Sequence, residues 1–273
     1  AAADGEPAEV ASAIREHYLP RGAGDELPST ASGIAVALAD KLDTLAGIFG
    51  IGQKPSGTKD PFALRRAAIG VVRILLERRL DLDLADLVAQ AVALQPVSTP
   101  DTQSEVLGFM MDRLRAIQLE AGHGSEAFDA VQATGSTKPG NIQSRLEALR
   151  RFRELPEAES LAAANKRIAN ILKKTETGTL STNIDAALLR EPAERALAAA
   201  LDAIASSVDT HLRRTEYDAA LTLLASLRPT IDAFFNDVMV NDPDAALRAN
   251  RLALVNRVRT LFSGVADLSR LPG

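Results

Sequence analysis

An all-helical fold is what this sequence predicts, and three observations predict it. Alanine and leucine dominate the apolar set, aromatic residues make up only 4% of the chain, and no run of β-branched residues alternates with period two. Hydrophobic residues account for 46% of 273 positions, enough for a sizeable core and for two domains of ordinary size.

The elements follow in order. Pro7 to Leu19 predicts a first helix, with Val10, Ile14 and Tyr18 at spacings of four. Pro20 to Thr30, holding Gly22, Gly24 and Pro28, is a loop. A tight apolar stripe of Ile34, Leu38, Leu42, Leu45 and Phe49 then marks a long helix, with Asp40 and Asp43 on its opposite face. Gly50, Gly52, Pro55 and Gly57 break it. Asp60-Pro61 reads as an N-cap followed by proline at the first helical position, opening a helix that carries Phe62, Leu64, Ile69, Val72 and Leu76 among Arg65, Arg66 and Arg73.

Asp83 to Leu94 makes a short helix ended by Pro96, and Pro100-Asp101 opens a longer one through Glu120, with Val106, Phe109, Met110, Leu114 and Ile117 inward. Gly122-His123-Gly124 breaks it. A short helix around Phe128 and Val131 leads into Gly135 to Asn141, read as a flexible connection. Ile142 to Phe152 turns Ile142, Leu146 and Leu149 inward and is ringed by Arg145, Arg150, Arg151 and Arg153. Pro156 starts a helix that continues to Lys174, and Thr175 to Asn183 is a polar loop. Four more helices begin near Pro192, Glu216, Pro229 and Pro243. The boundary between two domains is placed near Leu155, giving 1–154 and 155–273. In the final helix Leu247, Leu254, Val258, Leu261 and Val265 share a narrow arc and should face the core, while Arg248 and Arg259 share an azimuth about 100° round from it and Arg251 lies between.

Bulk properties exclude several classes. There is no cysteine, so neither a disulfide framework nor a thiolate zinc site is available. No apolar run approaches the ~20 residues that span a bilayer, and no signal segment opens the chain; a cytoplasmic location is expected. The net charge of −5 argues against indiscriminate coating of nucleic acid. Up to Leu155 there are 17 basic and 21 acidic residues, after it 14 and 15, so any RNA contact must come from local patches. The first residue is Ala1, not methionine, which suggests a piece of something longer.

GIGQKPSGTKD has the glycines of a phosphate loop, but Gly57 is followed by Thr58-Lys59, the reverse of the required order, and a helix stands where a strand should. A structural connection between helices is expected there. His17, His123 and His211 are the only histidines. None is followed by aspartate, and none has partners that suggest a triad. Neither the HIGH and KMSKS words nor a class II arginine pattern of synthetase active sites occurs, so no catalytic residue and no metal ligand is assigned. In AAANKRIANILKK, Lys166, Asn170, Lys173 and Lys174 fall on one face, with Arg167 beside them. Such a cluster suits phosphate contact by point charges, and equally a solvated helix end whose cations favour the C-terminus.

Several long words carry a resemblance. DGEPAEVASAIREHYLPRGAGDELP, ALADKLDTLAGIFGIG, GTKDPFALRRAA, FMMDRLR, ALRRFRELPEAESLAAANKRIANILKK and DAFFNDVMV resemble the C-terminal part of the glycyl-tRNA synthetase β subunit of the bacterial two-subunit enzyme. DPDAALRANRLALVNRVRTLF resembles the DALR-type anticodon-binding domain through Asp244, Ala246, Leu247 and Arg248, with one extra alanine. Asp40 in LADKLD looks like the last motif of the HD phosphohydrolase superfamily, without the histidines and His-Asp pair that a water-activating metal site needs. The resemblance implies an HD-like helical domain followed by a DALR-like anticodon-binding domain. It implies tRNA(Gly) and a catalytic α subunit as partners in an α2β2 heterotetramer, with ATP and Mg used by the whole enzyme and no cofactor in this part. Arg248, Arg251 and Arg259 are then candidates for tRNA contact, because arginine stacks on bases and bonds their edges, together with Lys166, Arg167, Lys173 and Lys174. Two alternatives stay open: an HD-type metal-dependent phosphohydrolase, and a helical scaffold whose arginines all sit in salt bridges.

Overall fold

A computed structural model describes residues 1–22, 24–174 and 181–272. Among the described residues there are twelve α-helices and no strand, the nearest thing to one being an isolated bridge between Ser56 and Lys59. The helices are α1 Ala8–Glu16, α2 Ala31–Gly50, α3 Leu64–Glu77, α4 Leu84–Ala93, α5 Thr102–Glu120, α6 Ser125–Gln132, α7 Pro139–Phe152, α8 Ala158–Lys173, α9 Pro192–Arg213, α10 Tyr217–Ala225, α11 Arg228–Asp237 and α12 Ala245–Ser263. The loop expected from Thr175 to Asn183 lies mostly outside the described residues.

The helices form two compact units, one of residues 1–122 with 137–141 and one of 123–136 with 142–273. This division falls earlier than the boundary expected at Leu155. The reason is packing. Ile142, Leu146, Leu149 and Phe152 of α7 are buried, and Arg145 of the same helix donates to the carbonyls of Gly264 and Val265 at 2.6 and 2.7 Å. The Asp267 amide bonds the Ala130 carbonyl in α6. The short segment between α6 and α7 is also not a free connection: the Leu84 amide bonds the Thr137 carbonyl, the Thr137 hydroxyl bonds Asp83, and Lys138 pairs with Asp81.

In the first unit α2 is central and packs on α1, α3, α4 and α5. Leu38, Leu42, Leu45 and Phe49 face the core as their spacing predicts. Helix α1 does not follow its own stripe, since Val10, Ile14 and Tyr18 are exposed and Glu16 is buried. Glu16 accepts four hydrogen bonds, from the amides and hydroxyls of Ser29 and Thr30 at 2.7–3.1 Å. It thereby anchors α1 to the start of α2, and the Ser29 bond foremost lowers its pKa from 4.5 to about 2 against the cost of burial. A Cβ at Gly33 would lie 2.0 Å from the Glu16 carboxylate, so only glycine leaves room for it.

Helix α3 begins at Leu64, three residues later than Pro61, because Ala63 adopts φ +56° and breaks the backbone there. Asp60 still caps the helix, accepting from the Leu64 and Arg65 amides at 2.8 and 3.0 Å. Leu64 and Val72 are buried, whereas Phe62 is exposed.

Candidate nucleic-acid interface

The second unit holds every cation that the sequence nominates. Helix α12 starts where Asp244 accepts from the Ala246 and Leu247 amides at 2.8 and 3.2 Å. The Asp-Ala-Ala-Leu-Arg word is therefore first an N-cap, which satisfies amides that have no partner within the helix. Its arginine folds back: Arg248 donates to the Asp242 carbonyl at 2.7 Å and is half-buried. Helix α12 is more deeply buried than its narrow leucine arc suggests. Leu254, Val255, Val258 and Phe262 are each at most 1% exposed, while Leu247 and Leu261 stay half-buried.

Arg251 corrects the expectation of a tRNA contact. Its side chain is 6% exposed and bonds Glu194 of α9, Asp242 at 2.6 Å and the Met239 carbonyl at 3.0 Å. Burial works against its charge, but Glu194 and then Asp242 outweigh this and raise its pKa. Glu194 is itself fully buried and also accepts from the Glu191 amide at 2.7 Å. A guanidinium held on three sides inside a core has no edge left for a base. Arg257 pairs with Asp202 on α9. Arg259 is exposed. It shares an azimuth with Arg248, yet roughly 16 Å of helix separates them, and Leu252 and Val255 between them are buried. The two arginines do not form one continuous face.

Helix α8 behaves differently. Leu161, Ala162, Asn165, Ile168 and Leu172 point inward, and Lys166, Arg167, Asn170, Lys173 and Lys174 are all exposed. At ~100° per residue these five lie within an arc of about 120° directly opposite the buried face. Lys173 and Lys174 close the helix, where cations complement its dipole. Lys166 and Arg167 are mid-helix, where that explanation fails. The guanidinium of Arg167 lies 4.3 Å from the ring centroid of Phe235 on α11. Phe235 has no charge to mark it in the sequence, and its adjacency to Phe234 does not decide which of the two faces the core. Phe234 is fully buried and Phe235 only partly.

Elsewhere the nominated motifs serve structure. The phosphate-loop-like segment is tied down by the Ser56–Lys59 pair, by Arg65 bonding the Gly57 carbonyl and by Lys54 pairing with Glu105. Asp43 accepts from Gln95 at 2.7 Å, and Asp40 is exposed beside Lys41, whose ammonium bonds the His17 carbonyl at 3.1 Å. Burial lowers the pKa of Lys41 against the pull of Asp40. His17 contacts the Ile14 carbonyl and His211 contacts Glu216, both at 2.6 Å. Among the described residues no group of three or more His, Cys, Asp or Glu is placed to hold a metal ion, and no helix is long and apolar enough to cross a membrane.

Comparison with known proteins bears on this geometry. Residues 1–133 match the family model described as glycyl-tRNA synthetase beta subunit, and residues 161–268 match that of the DALR anticodon binding domain. The glycine–tRNA ligase beta subunit of Ectopseudomonas mendocina is 52% identical over 98% of this chain, and that of Marinobacter nauticus 50% identical over all of it. The Pseudomonas aeruginosa beta subunit is 52% identical over 98% of the chain. In each case the chain spans 39% of the relative's length.

Proposed function

The chain belongs to the glycyl-tRNA synthetase β-subunit family, and on that premise we propose that it supplies tRNA recognition to the ATP-dependent glycylation of tRNA(Gly). The observation that carries this reading is the exposed cationic arc of α8, within the region that matches an anticodon-binding domain. Lysines that pair with no acid among the described residues neutralise phosphates and release counterions, while a planar guanidinium on an aromatic ring suits unpaired bases. Arg248 and Arg259 join as flanking contacts, each on its own part of α12. The second unit acts by binding and orienting the RNA. The adenylate chemistry, with its ATP and Mg, belongs to a separate α subunit, and the complete enzyme is an α2β2 heterotetramer in the cytoplasm.

Filter binding of the chain to tRNA(Gly), with a non-cognate tRNA alongside, tests the reading. Wild type should prefer tRNA(Gly), and Lys166→Ala with Lys173→Ala and Lys174→Ala should weaken all tRNAs alike and make the salt dependence shallower by up to about three contacts. Binding by the triple variant equal to that of wild type, with an unchanged salt dependence, would remove α8 from the interface. The chain alone should show no glycine-dependent exchange of pyrophosphate into ATP, and such exchange in the absence of α subunit would contradict the division of labour.

A further inference from the structure

Helices α2 and α4 border a groove of about 620 Å³ on the first unit. We propose that it is a docking site for an amphipathic helix of a partner protein, one whose apolar stripe is flanked by lysines or arginines. The groove lies in the unit outside the proposed tRNA contact, and its use does not depend on that reading.

Both helices carry more apolar surface than their core takes up. On α2, Leu38, Leu42 and Leu45 are buried, while Ala35, Val36 and Ala39 are exposed. On α4, Leu84 and Val88 are buried, while Leu87 and Ala91 are half-buried and Leu94 is 82% exposed. The surplus is contiguous across the groove, and a contiguous apolar surface on a water-facing unit marks an interaction site. The spacing of the walls suits a helix. Positions 35, 39 and 43 of α2 and 87, 91 and 94 of α4 line the groove, and each set runs two turns, roughly 10–12 Å. Ridges at intervals of three and four residues accept the i, i+3, i+4 and i+7 anchors of an apolar helix face. Alanine at 35, 39 and 91 keeps the walls low, so larger partner side chains can enter.

The charge of the walls selects the partner. Asp40 and Asp43 line the groove, and no lysine, arginine or histidine does. Asp43 is held by a neutral donor, the Gln95 amide, at 2.7 Å. Lys41 turns away, its ammonium bonding the His17 carbonyl. Two carboxylates beside an apolar surface repel phosphates, so neither RNA nor an anionic membrane fits there. They attract a helix with cations along its edge and reject one edged with acids.

The test uses fluorescein-labelled peptides of about 16 residues, some four turns of helix, in anisotropy titrations against the chain. One carries leucines at i, i+3, i+4 and i+7 flanked by lysines, and a second has glutamates in place of the lysines. A third scrambles the first, keeping its charge without its stripe, and so reports mere attraction to an acidic chain. Wild type should bind the lysine peptide about tenfold or more tighter than either of the others. Leu94→Lys is a surface change that leaves the core intact, and it should lose about tenfold on the lysine peptide. Asp40→Asn with Asp43→Asn should bring the lysine and glutamate peptides close together and flatten the salt dependence. The chain contains no cysteine, so a dye on Gln90→Cys reports the groove alone, and its emission should shift with the lysine peptide. Equal binding of the striped and scrambled peptides, or wild-type affinity in Leu94→Lys, overturns helix docking. Equal binding of the lysine and glutamate peptides overturns the basic partner. Self-association of the chain that Leu94→Lys abolishes would give the groove to a second copy, and would overturn the proposal as well.

Discussion

Helices α8 and α12 carry nearly the same cationic load and use it in opposite ways. On α12 Arg251 is buried between Glu194 and Asp242, Arg257 pairs with Asp202, and Arg248 holds the Asp242 carbonyl. On α8 Lys166, Arg167, Lys173 and Lys174 all face solvent opposite the buried side. The difference lies in the surroundings. The fold brings acids of α9 and of the α11–α12 connection to α12, and brings Phe235 to α8. A basic helix is thus made structural or available by its neighbours, and its own pattern does not decide which.

The largest expected effect lies on the structural side. Arg251→Ala leaves Glu194 charged and unpaired in the core, so it should cost about 3–5 kcal/mol in urea unfolding. A cost under about 1 kcal/mol would mean that Arg251 is not committed to the core, and would erase the contrast with α8.

A second test asks whether buried charges in the other unit are equally structural. Glu16→Gln exchanges four charge-assisted bonds for weaker ones and should cost roughly 1.5–3 kcal/mol. The sign with pH is fixed by the depressed pKa. The Glu16 contribution is complete above about pH 4.5 and is lost as pH falls toward its folded value of about 2. Wild type and Glu16→Gln should therefore converge in stability over that window, and melting curves that stay parallel down to pH 2.5 would exclude the ionised anchor.

The smallest effects sharpen the comparison at the ends of the two helices. Asp244→Ala removes the N-cap of α12 and should cost about 1 kcal/mol. Lys166→Ala, on the exposed arc of α8, should change thermal stability by less than about 0.5 kcal/mol while weakening tRNA binding. A stability loss at Lys166 comparable to that at Asp244 would make α8 structural as well.

Much of the helical layout was legible because amphipathic spacing and capping residues act locally. The stripe of α2, the Asp83 cap of α4 and the run of helices from Pro192 are all cases of this. The face of α1 was not legible, because its rotation is set by Glu16 reaching Ser29 and Thr30, more than ten residues away. The fate of the arginines was hidden for the same reason: Glu194 lies 57 positions from Arg251, and no local pattern announces such a pair. Arg167 was nominated for its charge, and its aromatic partner emerged only when α11 was seen beside α8.

The clasp between Arg145 and the carbonyls beyond α12 has a consequence for cooperativity. The stretch that matches the anticodon-binding family starts at residue 161, yet α7, which precedes it, shares its core and satisfies the carbonyls at its far end. The piece delimited by likeness is smaller than the piece that opens and closes as one. In native-state hydrogen exchange the α7 amides from 146 to 152 should share the opening free energy of α9 and α12, and a chain trimmed to 161–268 should exchange throughout as though its most stable layer had been taken away.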